Sequence, residues 1–248
     1  MIIIKSASEI EAMRRVNQMT ARLRNAVAAQ VRPGITTLEL DTFAREMIRD
    51  MGGVSAFYGY HGYPGQICVS VNDEVVHGIP GRRIIHEGDI VSIDQGISFE
   101  GFIGDTAITV GAGKISAEDQ HLLDVTQASL DAGIAMAVEG NRLGDISSAI
   151  QTVVEEAGLT IVREFVGHGI GRSMHEDPQI PNFGKPGRGP VLKAGMTLAI
   201  EPMVNIGGAK VKVLDDKWTA VTTDGSNSAH FEHTVAVGKT APDILTLV

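Results

Sequence analysis

The chain contains one cysteine, Cys68, and one tryptophan among its 248 residues. A single cysteine excludes an internal disulfide and a cysteine-based zinc cluster, and it favours a cytoplasmic location. The formal net charge of -9 argues against the basic face that nucleic-acid binding requires. No apolar run approaches the roughly 18 residues of a membrane helix, and the N-terminus lacks the features of a secretory signal. We therefore expect a globular enzyme or binding protein that uses neither a membrane nor a nucleic acid.

A pair of predicted helices followed by short β-rich runs occurs twice along the chain. Capping residues Ser6 and Thr36 open the two helices of the first half, and residues 116–138 and 143–157 form those of the second. Helix pairs followed by strands predict an α+β fold made by duplication rather than alternating βαβ units. The predicted strands are 67–71, 90–93, 106–110, 160–166, 197–200, 211–214, 219–222 and 230–237.

Each half also contains a histidine followed by two acids, in the same order. These residues are His77, Asp94 and Asp105 in the first half and His168, Glu201 and Glu232 in the second. In both halves the first acid stands six residues after a glycine and the second lies beside a β-branched run. We therefore predict one domain of two pseudo-symmetric halves, about 1–110 and 114–248, with the functional site between them.

The four acids of this repeat lie in or beside apolar runs, where an unpaired carboxylate is costly to bury. Metal ions would remove their mutual repulsion, and shared carboxylates suit a dinuclear centre. His168, in the glycine-rich run Val166–Gly171, adds one imidazole. This oxygen-rich set favours manganese, iron(II) or cobalt over a structural zinc. The alternative is that each acid forms a separate ion pair or caps a turn, and for Asp105 considered alone that alternative is the better one.

Longer motifs in this chain resemble those of type I methionine aminopeptidases, which have the pita-bread metallopeptidase fold. The matching stretches are Gly59–Pro64, Cys68–Pro80, Gly88–Gly96, Gly101–Thr106, Gly167–Glu176, Glu201-Pro202 and Phe231–Thr234. The resemblance covers essentially the whole chain and implies a central curved antiparallel sheet with helices on its outer face. The resemblance therefore implies no N-terminal domain of the kind expected of aminopeptidase P and prolidase. The segment between Glu201 and Glu232 is too short for the helical insertion of type II enzymes.

The resemblance implies a role for each metal ligand. Asp94 would chelate the first ion, and His168 and Glu201 would bind the second. Asp105 and Glu232 would bridge the two ions. A water or hydroxide between the ions would be the nucleophile, and Glu201 would shuttle its proton. Zinc is a further candidate for either ion.

The same resemblance implies residues that contact the substrate. His175 would stabilise the oxyanion, and His77 would contact the peptide near the scissile nitrogen. Support of the metal ligands is the alternative for both histidines. The implied methionine pocket consists of Tyr60, His61, Tyr63, Cys68 and Trp218, with Phe57 and Met174 at its edges. A monovalent cation is implied near Asn72, Glu74 and Ser228.

Two pocket residues depart from the pattern of the family. Met174 stands where phenylalanine is common, and Phe57 stands where a smaller residue often occurs. We expect the two changes to compensate in volume and to preserve a pocket for methionine, whose polarizable thioether packs well on aromatic edges.

The predicted function is removal of the initiator methionine from nascent chains whose second residue is small. The predicted enzyme is a monomer, and a transient contact with the ribosome is left open. One alternative keeps the fold but makes the chain a dipeptidase or a proline-specific peptidase. Another is a non-catalytic pita-bread binding protein, which the presence of all five ligands disfavours.

Overall fold

In the computed structural model, which describes residues 1–248, the helices begin where their capping residues predict. Ser6 and Glu9 form a capping box at the first helix, in which Glu9 N donates to Ser6 Oγ at 3.3 Å. Thr36 and Glu39 repeat this arrangement at the second. Each box satisfies backbone groups that a helix end leaves unpaired. The helices are α1 (Ala7–Ala28), α2 (Thr37–Asp50), α3 (Ala117–Ala135) and α4 (Leu143–Glu156).

Fifteen strands form four sheets, and every ladder between them is antiparallel. The predicted α+β class is confirmed, with the strands divided among several sheets. The strands are β1 (Val54–Ser55), β2 (Cys68–Val71), β3 (Glu74–Val76), β4 (Ile90–Phe99), β5 (Phe102–Gly111), β6 (Thr160–Ile161), β7 (Gly167–Gly169), β8 (Glu176–Ile180), β9 (Thr197–Ile200), β10 (Met203–Asn205), β11 (Val211–Val213), β12 (Ala220–Thr222), β13 (Ser228–His230), β14 (His233–Ala236) and β15 (Asp243–Ile244).

The long β4–β5 hairpin carries the two acids of the first half. Asp94 lies inside β4, which continues beyond the predicted end at residue 93, and Asp105 lies inside β5, which begins before the predicted start at residue 106. Asp94 is paired with Ala107, and Asp105 is paired with Gly96. The two acids are therefore diagonal neighbours in the ladder, and the alternation of side chains along a strand puts them on the same face of the hairpin.

The acids of the second half occupy strand ends. Glu201 directly follows β9, and His168 lies in β7. The single strand predicted over 230–237 is divided, and Glu232 lies in the break between β13 and β14. Its backbone N–H donates to the carbonyl of Ala107 on β5 at 3.0 Å. This hydrogen bond explains the break, because the chain leaves one sheet and crosses to β5 before it enters the next.

Two threonine hydroxyls fix the crossing beside the acids. Thr106 Oγ1 donates to the carbonyl of Glu232 at 2.7 Å, and Thr234 Oγ1 donates to the carbonyl of Asp105 at 2.8 Å. Each bond joins residues more than 120 positions apart in the chain. A side chain of each predicted half is therefore hydrogen-bonded to the backbone of the other at the acids themselves.

The apolar interior has two main clusters, and most residues of each cluster come from one half of the sequence. One contains α1, α2 and the β4–β5 hairpin, and the other contains α3, α4 and the strands around β9. The division into pseudo-symmetric halves stays a prediction. None of the helices combines the length and the apolar character needed to cross a membrane.

Candidate metal centre and substrate cavity

One cavity of about 470 Å³ brings together every residue that the sequence assigned to catalysis, to metal binding and to the methionine pocket. Its lining consists of Phe57, Tyr60, His61, Tyr63, Cys68, His77, Asp94, Asp105, His168, Met174, His175, Glu201, Trp218 and Glu232. Acids and histidines therefore share one cavity with aromatic side chains. This combination can hold cations beside an apolar side chain of a ligand.

Three of the predicted ligands form a compact group. Donor atoms of Asp105, His168 and Glu232 all lie within 4.8 Å of one another. His168 Nε2 is 3.8 Å from Asp105 Oδ2 and 3.5 Å from Glu201 Oε1. Ligand atoms that each lie about 2.1 Å from a shared ion are separated by at most about 4.2 Å. The His168 contacts therefore have the spacing of donors around one cation.

Buried acid oxygens that lack a hydrogen-bond partner indicate whether these residues fit a metal ion. Asp94 Oδ1, Asp105 Oδ1 and Glu232 Oε1 are buried and have no hydrogen-bond partner in the protein. Buried polar atoms are almost always paired, so three such oxygens in one cavity call for a cation. His168 Nδ1 is 3.0 Å from the carbonyl of Gly169. Donation from Nδ1 leaves Nε2 as a free acceptor toward the acids. The donor set fits divalent metal ions.

Burial also sets the charges in the metal-free cavity. It raises the pKa of Asp94 to about 7 and that of Glu201 to about 8. Burial, followed by repulsion from neighbouring acids, holds the pKa values of Asp105 and Glu232 well above the ordinary range. Burial lowers the pKa of His168 to about 4, so this imidazole is neutral and able to bind a metal near pH 7.

These shifts predict that the metal-free protein loses stability as the pH rises from about 6.5 to about 8. Over this range the folded state keeps a proton on Asp94 up to about pH 7 and on Glu201 up to about pH 8, whereas the unfolded chain has already lost both. Each retained proton lowers the free energy of unfolding by on the order of 1 kcal/mol per pH unit. The pKa of His168, which is lowered, acts in the opposite direction only below about pH 6.5.

Urea unfolding across this pH range, with chelator and with saturating Mn²⁺, checks the expectation. Because a divalent ion favours the ionised carboxylates, Mn²⁺ should remove the decline. A metal-free curve that is flat or rises between these pH values would contradict it.

Two further histidines face the same cavity. His175 Nδ1 is 2.7 Å from the hydroxyl of Tyr60, and its ring centroid is 4.3 Å from that of His168. His77 stands edge-on to Phe165, with 5.3 Å between ring centroids. Burial lowers the pKa values of His175 and His77, the latter to about 4. Both rings are therefore neutral near pH 7, and a neutral imidazole can donate one hydrogen bond to a substrate.

The model of metallopeptidase family M24 matches residues 11–239 of the chain. The chain belongs to this family. A methionine aminopeptidase of Clostridium perfringens is 52% identical over 248 residues and covers 100% of both chains. Methionine aminopeptidase 1 of Bacillus subtilis is 51% identical, again over 100% of both. The crystal structure of a methionine aminopeptidase from Thermotoga maritima superposes with a TM-score of 0.98 at 46% identity, with 100% of each chain covered.

The predicted pita-bread fold, the resemblance to methionine aminopeptidases and the predicted enzyme class are confirmed. A prolidase from Pyrococcus furiosus shares the fold alone, with a TM-score of 0.81 at 20% identity, and the chain spans 66% of its length. The roles of individual site residues stay predictions.

In this M24 peptidase, the aromatic part of the cavity lies beside the acids. Tyr63 and Trp218 meet edge to face, with 5.0 Å between ring centroids. A Cβ added to Gly96 would lie 2.9 Å from Phe57 Cε1 and 2.9 Å from Met174 Cε. The tips of these two side chains therefore share the space above Gly96, and their compensation in volume stays a prediction. Burial raises the pKa of the Cys68 thiol well above its ordinary value, which fits a wall rather than a nucleophile.

The structure adds two charged or titratable residues that the sequence analysis missed. His230 Nε2 is 3.5 Å from Glu201 Oε2, and neither ring nitrogen has a hydrogen-bond partner in the protein. Arg24 of α1 is 9% exposed and donates from Nη1 to Thr106 Oγ1 at 2.9 Å. Its positive charge lowers the pKa of Glu232, against the larger effect of burial. Two features of the sequence could have indicated them. His230 stands two residues before the candidate ligand Glu232, and Arg24 falls among the core-facing positions of the first predicted helix.

The residues predicted to surround a monovalent cation lie close together but have other partners. The Asn72 side chain donates to Asp89 Oδ1 and accepts from the backbone N–H of Ile90. Glu74 Oε2 accepts from the backbone N–H of Val71 at 2.7 Å. Ser228 N donates to the carbonyl of Asn72 at 2.9 Å. These contacts tie neighbouring strands together, and the cation stays a prediction.

Proposed function

We propose that this M24 aminopeptidase removes the N-terminal methionine from peptides with a small second residue, using two divalent ions. The ligands would be Asp94, Asp105, His168, Glu201 and Glu232. The observation that carries the proposal is one cavity in which unpaired acid oxygens lie beside an aromatic pocket. Manganese, iron(II) and cobalt suit these oxygen-rich ligands best, and zinc is a further candidate.

The bound ions would activate water and polarise the scissile carbonyl. The protein side chains would orient the substrate and move protons. Glu201 would act as the proton shuttle, as the family resemblance implies. His175 would donate to the oxyanion, and His77 would contact the peptide near the scissile nitrogen. The bond from Tyr60 to His175 Nδ1 would leave the proton of the neutral ring on Nε2.

The shape and chemistry of the cavity support methionine as the residue removed. Tyr63, Trp218 and Cys68 offer polarizable, largely apolar walls next to the acids, and a thioether packs favourably against such walls. The ladder between β2 and β4 places Cys68 of the pocket directly opposite Asp94 of the proposed metal centre. A methionine side chain in the pocket would therefore present its peptide bond to the metal centre.

Peptide selectivity tests the proposal. Metal-free protein is titrated with Mn²⁺, Fe²⁺, Co²⁺ and Zn²⁺ and assayed on Met-Ala-Ser and Met-Leu-Ser, with Leu-Ala-Ser as the control for the first position. We expect metal-dependent cleavage of Met-Ala-Ser with kcat/KM at least about 100-fold above that for Met-Leu-Ser, because a cavity that fits a methyl group excludes an isobutyl group. Equal rates on the two methionyl peptides would refute the preference for a small second residue.

The alternatives give different results in the same assay. A dipeptidase would prefer Met-Ala to the tripeptide, and a proline-specific enzyme would require proline at the second position. A binding protein would cleave none of the peptides with any metal. We further propose that the protein acts in the cytoplasm as a monomer on nascent chains. A transient contact with the ribosome and a monovalent cation near Asn72 are separate proposals, which the peptide assay does not test.

A further inference from the structure

A buried ion pair adjoins the turn that carries His175 and lies outside the proposed ligand set. Lys5 Nζ bonds to Glu176 Oε2, and the side chains are only 4% and 7% exposed. The pair joins residues 171 positions apart. Glu176 directly follows His175, the residue proposed to face the substrate. Burying two charges is costly, so a pair of this kind adds little net stability compared with apolar side chains of the same size.

The second carboxylate oxygen of Glu176 shapes the turn that carries His175. Glu176 Oε1 accepts hydrogen bonds from the backbone N–H groups of Arg172, at 2.9 Å, and Ser173, at 3.4 Å. This turn connects β7, which carries His168, to β8. It also carries Met174, whose side chain lines the cavity. The carboxylate is therefore bound on one oxygen by the turn and on the other by Lys5.

The surroundings of the pair hold Lys5 in a fixed place. Lys5 N donates to the carbonyl of Gly195 at 2.8 Å, just before β9. Gly171 leaves room for both charged groups, since a Cβ there would lie 2.6 Å from Glu176 Oε1 and 2.6 Å from Lys5 Cε. The ammonium group is thus fixed relative to β9, which ends at Glu201. The pair links the turn of His175 to the strand that positions a proposed metal ligand.

We propose that Lys5 and Glu176 are positioning residues that fix His175 against the scissile carbonyl. This inference rests on the proposed role of His175 in peptide cleavage. Lys5 holds Glu176, Glu176 fixes the turn at Arg172 and Ser173, and the turn places the imidazole 2.7 Å from the Tyr60 hydroxyl. Lys5, which precedes α1, therefore acts on catalysis through His175 without touching the substrate.

A double-mutant cycle tests whether Lys5 acts through His175. We expect Lys5→Met to lower kcat for Met-Ala-Ser by about 10- to 100-fold, with KM changed by less than about 3-fold, because small displacements of a catalytic group are costly. In a His175→Ala background the same change should lower kcat by less than about 2-fold. Mn²⁺ affinity, measured by calorimetry on metal-free protein, should change by less than about 3-fold, because the β7–β9 ladder that holds His168 beside Ala199 stays intact. An equal factor in both backgrounds would overturn the proposal.

Hydrogen exchange gives a readout that needs no catalysis. Lys5→Met should speed exchange of the Arg172 and Ser173 amides by at least about 10-fold, because their acceptor is no longer held. Unchanged protection at these two amides would refute the proposal even if the enzyme were inactive. The control is Arg15→Met, which breaks an exposed ion pair with Glu100 at 2.8 Å. It should alter neither exchange at these amides nor kcat.

A second variant separates positioning from stability. Lys5→Met leaves Glu176 buried without its partner and should lower the unfolding temperature, whereas Lys5→Met with Glu176→Leu removes both charges and should restore it. kcat should stay low in the double variant because the turn has lost its acceptor. Recovery of kcat together with the unfolding temperature would show a purely structural role and overturn the proposal. Failure of the parent enzyme to cleave any methionyl peptide would instead refute the proposed function.

Discussion

Replacing Asp105 with asparagine is expected to abolish peptide cleavage while making the metal-free protein more stable. Asp105 is 4% exposed, and burial and the neighbouring acids hold its pKa well above the ordinary range. Asparagine keeps the shape of the side chain but needs no proton to become neutral, so metal-free stability should rise by about 1–3 kcal/mol at pH 7. Loss of the carboxylate that is proposed to bridge the two ions should lower kcat/KM by at least about 1,000-fold.

The two effects are measured separately. Urea unfolding in the presence of chelator reports the stability, and calorimetric titration with Mn²⁺ reports the number of bound ions and their affinity. We expect the second ion to be lost or to bind at least about 100-fold more weakly. Asp131→Asn is the matched control, because Asp131 is exposed and accepts only from Gln127 at 3.0 Å. A variant that binds two ions with parental affinity would show that Asp105 is not a bridging ligand.

Replacing His175 with alanine is expected to lower kcat by about 100- to 1,000-fold, because the donor that is proposed to face the developing oxyanion is lost. Metal affinity should change by less than about 3-fold, since the five proposed ligands do not include this residue. Tyr60→Phe removes only the 2.7 Å hydrogen bond to the ring and should lower kcat by about 3- to 10-fold.

Kinetics on Met-Ala-Ser and Mn²⁺ calorimetry on the same protein preparations check this second expectation. His121→Ala serves as the control, because that histidine is exposed on α3. A parallel loss of activity and of metal affinity would assign His175 to support of the metal ligands. A rise in KM with kcat unchanged would assign it to ground-state binding of the peptide.

The two expectations together separate the parts of the site. Asp105 should affect metal binding, metal-free stability and catalysis at once, whereas His175 should affect catalysis alone. The difference follows from position. Asp105 is enclosed between β4, β5 and the crossing at Glu232, and His175 is carried by a turn at the edge of the cavity.

The helices and the identity of the site residues could be predicted from the sequence. Capping boxes at Ser6 and Thr36 depend on residues three positions apart, so they are visible without any tertiary information. The repeated order of a histidine and two acids pointed to one site, and the family resemblance named the side chains that line the cavity. Strand ends were predicted less well, because β4 extends to Phe99 through its pairing with β1 and β5.

The sequence by itself determined which acids gather at the cavity, because an acid in an apolar run is costly to bury wherever it lies in the fold. Only the tertiary structure decided how they are arranged. Glu232 leaves its strand to bond with Ala107, and Arg24 reaches Thr106 across 82 positions. Lys5 meets Glu176 behind His175 at a still greater separation. Contacts between residues so far apart leave no periodicity or cap in the chain, since they arise only when strands and helices are packed together.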